Sequence, residues 1–121
     1  MRASIAIIAA AVAVSACGAT IDEVRSEPVR WTAHYDVPFD TMANCLAART
    51  AEEWRSTPQI YPRDGKAYVT ASQLNTIVAE FVIKKDGDGA STVEWRRRKV
   101  IADLGGLEAT ARKNADKCGS A

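Results

Sequence analysis

Hydrophobic and polar positions alternate most cleanly near the start of the chain's second quarter. Val29, Trp31, Ala33, Tyr35 and Val37 are separated by Arg30, Thr32, His34 and Asp36. A period of two with one apolar face predicts a β-strand, which Pro38 ends. The period then changes. Phe39, Met42, Ala43 and Leu46 fall at helical spacing, and Asp40 stands in the first turn, where the helix dipole favours negative charge. The spacing predicts a helix over 39–54, with Arg49 and Glu53 four apart, and Ser56-Thr57-Pro58 breaks it. Arg63-Asp64-Gly65 signals a turn, and residues 67–71 form a short strand. Residues 76–85 (TIVAEFVIKK) are β-branched and apolar, as in a more central strand. Asp86-Gly87-Asp88-Gly89 reads as a hairpin turn before a last strand over 92–101. After Gly105-Gly106, the residues Leu107, Ala111, Ala115 and Cys118 mark one face of a closing helix. The expected fold is α+β in the order β-α-β-β-β-α: a four-stranded antiparallel sheet with two helices on one face.

The first segment does not belong to this domain. Met1-Arg2 is followed by an unbroken apolar run over 5–14, IAIIAAAVAV. Ten helical residues reach only about 15 Å, half of a bilayer core. The run is therefore too short to span and reads as a secretory signal peptide. It ends in Val14-Ser15-Ala16-Cys17, which resembles the lipobox of bacterial lipoproteins: a branched apolar residue, two small residues, then Cys. That resemblance implies cleavage before Cys17, lipidation of its thiol, and acylation of the new amino terminus by a chain such as palmitate. Two or more acyl chains are what stable anchoring needs. Gly18 follows where Asp would resemble the inner-membrane retention signal, which favours the outer membrane, facing the periplasm.

The expected organisation is a signal peptide over 1–16, the lipidated Cys17 with a tether over 17–28, and a small periplasmic domain over 29–121. The eleven residues 18–28 would reach at most about 36–40 Å, so the domain works near the membrane surface. With 121 residues, 47% hydrophobic, 26% charged and a net charge of +1, the chain is globular and is neither a disordered tail nor a nucleic-acid binder.

If Cys17 carries lipid, Cys45 and Cys118 remain as an even pair in an oxidising compartment. Each lies on a helix expected on the same sheet face, so a structural disulfide is favoured over a reactive or metal-binding role. No C-x-x-C is present, and His34 is the only histidine.

No catalytic motif appears: there is no G-x-S-x-G, no H-E-x-x-H and no P-loop. The loop at Asp86 fails the calcium pattern, with Ser91 where Gly is needed and Arg97 where Glu is needed. Glu52-Glu53 fits a solvated, ion-paired helix face better than an acid/base pair. No cofactor or metal is expected.

Trp95-Arg96-Arg97-Arg98-Lys99 is the one charge run to weigh. It fits an edge strand guarded by cations. The functional alternative is a binding patch at Arg96 and Arg98, which share a strand face, for an anionic lipid or an acidic envelope protein.

The phrases YDVPFDTMANCL over 35–46 and ARKNADKC over 111–118 resemble small proteobacterial envelope lipoproteins, which share an early helix and a closing helix that each carry a Cys. The element order is also similar, in topology alone, to the lipoprotein subunit of the lipopolysaccharide translocon. The expected function is a membrane-anchored, non-enzymatic binding or accessory module; the alternative is a small envelope enzyme or an inhibitor of one.

Overall fold

The computed structural model describes residues 21–99 and 106–120. The signal peptide expected over 1–16, and Cys17 where lipidation is expected, lie outside the described residues.

The fold is α+β. Five antiparallel strands lie in the order β1-β5-β4-β3-β2. They are β1 (Trp31–Tyr35), β2 (Arg55–Tyr61), β3 (Lys66–Gln73), β4 (Thr76–Lys85) and β5 (Ser91–Arg97). The helices are α1 (Ile21–Arg25), α2 (Phe39–Thr50) and α3 (Leu107–Gly119).

The sheet has one strand more than the expected four. The helix expected over 39–54 stops at Thr50, and Ser56-Thr57-Pro58 lies inside β2 instead of breaking the chain. Pro is tolerated there because β2 is an edge strand, paired only with β3. The order of the described elements is therefore α-β-α-β-β-β-β-α and not the expected β-α-β-β-β-α. β5 is also not an edge. It sits between β1 and β4, so its cations do not guard an open ladder.

Local chemistry explains the turns. β2 returns to β3 through a single 3-10 turn, Pro62–Asp64, closed by Gly65 at φ +62°, a backbone conformation that suits glycine. Leu74 and Asn75 both take positive φ (51° and 64°) and join β3 to β4, with Leu74 almost fully exposed. The hairpin expected at 86–89 is present, and the Asp86 N–H donates to the Ala90 carbonyl at 3.0 Å.

The core lies between one sheet face and the pair α2/α3. Met42, Ala43 and Leu46 of α2 and Ala115 and Cys118 of α3 meet Ala67, Val69, Phe81, Ile83, Val93 and Trp95 of the strands. Trp31 stacks on Trp95, with centroids 6.2 Å apart, and meets Phe81 edge-on. Cys45 and Cys118 join α2 to α3 as a disulfide with a Cα–Cα separation of 5.8 Å, so the expected cysteine pair is brought together. The two expected helices share one face.

The third helix does not share that face. Residues 17–28 are expected as a tether, yet from Ile21 they form α1, which packs on β4 and β5. Val24 is fully buried there, outside the main core cluster. Because side chains alternate along a strand, Glu80, Val82 and Arg96 face α1 while Phe81, Ile83 and Trp95 face the core.

Candidate functional site

Among the described residues, the most buried charge lies on the α1 face of the sheet. Glu80, a central residue of β4, is 1% exposed. Its two carboxylate oxygens accept from Arg25, from Nε at 3.0 Å and from Nη2 at 2.9 Å, a forked pair that matches guanidinium to carboxylate. The Glu80 hydrogen bond holds the Arg25 guanidinium pKa above its ordinary value, against the lowering effect of burial. The same guanidinium lies 4.4 Å from the Tyr68 ring centroid.

Arg96 and Arg98 do share a face, as the strand parity requires. Neither is open to a partner in the way the sequence suggests. Arg96 Nε donates to the Glu27 carbonyl at 2.9 Å, and Arg98 Nη2 reaches the Glu23 carboxylate at 3.4 Å. The chain's own N-terminal segment supplies the anionic and carbonyl oxygens that an outside ligand would have offered. The sequence carries a signal for this in the stretch expected as a tether, where Glu23 and Glu27 flank Arg25.

The other candidates stay apart. His34 is half-exposed, with Nδ1 3.0 Å from Asp86 Oδ2 and Nε2 3.6 Å from Asp36 Oδ1. Among the described residues, no group of three or more His, Cys, Asp or Glu is placed to hold a metal ion. Glu52 and Glu53 are exposed in the turn after α2, not on its helical face.

Sequence reasoning missed a recess on the helix side of the sheet. A cavity of about 50 Å³ opens between the C-terminal end of α2 and the first half of α3. Phe81 and Trp95 line it from the sheet, and Trp54, Leu107 and Ala111 from around it. Arg49 and Thr50 also line it. Among the described residues, the Arg49 Nε and the Thr50 hydroxyl are buried with no hydrogen-bond partner. The Arg49–Glu53 pair expected from spacing does not form among the described residues.

No protein-family model, no curated protein and no solved structure matches the chain. The class defined here is therefore that of the fold alone: a five-stranded antiparallel α+β domain with a cysteine pair across its helical layer.

Proposed function

We propose that this chain is a lipid-anchored lipoprotein of the bacterial envelope, held in the outer membrane facing the periplasm, where its domain serves as a non-enzymatic binding or accessory module. The observation that carries the reading is the succession of Met1-Arg2, the ten-residue apolar run and Val14-Ser15-Ala16-Cys17. One structural feature supports it: the Cys45–Cys118 pair suits an oxidising compartment. Among the described residues, no helix is long and apolar enough to cross a membrane.

The docking of α1 changes the geometry of this proposal. Ile21, the first described residue, already belongs to α1, and in the sequence only Gly18, Ala19 and Thr20 lie between it and Cys17. Four Cα–Cα steps reach at most about 14 Å, against the 36–40 Å of a free tether. The domain would then lie against the bilayer in a restricted orientation, with α1 and the adjoining sheet face nearest the lipid.

The test is mass spectrometry of the protein extracted from native membranes, together with fractionation of Cys17→Ser. The expected result is acyl mass on Cys17, absence of residues 1–16, and release of the variant from the membrane. A mature chain that retains Met1, or a variant that stays in the membrane, overturns the proposal.

A further inference from the structure

We infer that the recess between α2 and α3 is a binding site for a small free amino acid, with its carboxylate inward and its ammonium at the rim. This inference is independent of the lipid anchor.

The argument starts from two polar atoms that ought to be bonded. Buried polar groups nearly always find partners, and each exception asks for a reason. Thr50 is only 5% exposed, yet among the described residues its hydroxyl has no partner. On the adjacent residue, the Arg49 Nε–H is likewise buried and unbonded. Both residues line the same recess. Arg Nε is a donor only, and a hydroxyl can donate, so the missing group is an acceptor. A guanidinium favours a carboxylate above other acceptors. Leu107, in the first turn of α3, lines the same space, and that helix has no side-chain cap, so its positive end also favours an anion.

Size narrows the class. The cavity of about 50 Å³ exceeds what one water needs and is far below the roughly 150 Å³ of a cavity that holds benzene. It takes a carboxylate with one or two carbons and excludes an aromatic ring or an acyl chain. The apolar floor of Phe81 and Trp95 suits a methyl group or a hydrogen, not a polar side chain. Charge at the mouth supplies the last element. Glu52 and Glu53 line the recess and are exposed. Beside them, a second acid group would be repelled and an ammonium attracted. Glycine and alanine meet all of these conditions.

The test is a titration of the disulfide-intact protein with glycine, alanine, acetate and sodium chloride, followed by the Trp54 and Trp95 indole resonances. Glycine or alanine should shift both in a saturable way, and acetate should bind more weakly. Thr50→Val and Arg49→Met should each weaken binding about tenfold or more, the scale of one lost charge-assisted hydrogen bond. Thr50→Val should also raise the denaturation midpoint of the free protein, since it removes an unpaired buried hydroxyl without changing shape. That gain separates loss of the site from loss of the fold. Glu52→Gln with Glu53→Gln should reduce amino-acid affinity to that of acetate. The inference is overturned if neither amino acid gives a saturable shift at millimolar concentration, if chloride gives the same shift, or if Thr50→Val binds as the parent does.

Discussion

Replacing Arg25 by Met strips the buried Glu80 carboxylate of its forked partner. The two ends of this pair differ: the Glu80 side chain is fully buried, whereas that of Arg25 is 40% exposed. An exposed ion pair contributes at most about 1 kcal/mol. Breaking a fully buried one costs about 3–5 kcal/mol, because the remaining charge is left in a poor environment. Here the charge left behind is the buried one, which places the cost near the upper range. The Arg25 side of the pair is 40% exposed, so water that reaches the vacated site lowers it again. The expected loss is about 2 kcal/mol, or roughly 8–16 °C in Tm for a domain of this size. Urea denaturation of Arg25→Met, Glu80→Gln and the double variant measures it. The double variant should recover about 1 kcal/mol or more relative to the sum of the single variants. Hydrogen exchange gives a second reading. The Ser26 and Glu27 amides donate to Asp22 and Val24 carbonyls, so both should exchange faster if α1 loosens. A cost for Arg25→Met below about 0.5 kcal/mol, as at an ordinary surface site, refutes the reasoning.

Two further outcomes follow from the helical layer. The Cys45–Cys118 bridge closes a loop with a sequence separation of 73, for which chain entropy gives about 4.5 kcal/mol. Reduction should lower the urea midpoint accordingly, and peptide mapping that finds two free thiols in protein taken from its native host would sink the assignment. Tyr35 donates to Asp116 Oδ1 at 2.7 Å, and its pKa is pushed up to about 12, first by burial and then by that hydrogen bond. Since the fold favours the neutral phenol, the Tyr35 contribution to stability is complete below about pH 10 and is lost as pH rises toward 12. Spectrophotometric titration should show a late ionisation that Tyr35→Phe removes; a titration complete in the ordinary tyrosine range refutes it.

The elements legible in the sequence are those with a sustained period against a single core. β1 alternates, α2 and α3 carry three- and four-residue stripes, and β4 is a ten-residue apolar strand whose ends match the expected ones. The cysteine pair was legible because each Cys lay in or beside such a stripe. β2 was not, because only Ser56 and Ile60 are even half-buried in it and Pro58 interrupts it, which leaves no alternation to read. α1 has five residues and one buried side chain, too little for any helical period. Its partners are far along the chain: Glu80 lies 55 residues from Arg25 and Arg98 lies 75 from Glu23. Charges so separated look free until the fold is known, which is why Arg96 and Arg98 read as an open patch. The recess stayed hidden for a related reason, since an unpaired hydroxyl on a helix leaves no mark in composition.

The sheet's two outer strands bear on how copies of this molecule coexist. Lipoproteins anchored as proposed would diffuse in a plane with a shared orientation, and like edges would meet often. Strand-by-strand polymerisation needs an uninterrupted row of backbone donors and acceptors. β2 has Pro58 at its midpoint and so offers one donor fewer to an incoming strand. β1 is only five residues long and is bracketed by Pro28 and Pro38. Neither border can template a neighbour over its full length. A crowded layer of these domains would therefore remain a population of separate molecules, and Pro58→Thr is the substitution most apt to turn it into a fibre-forming film.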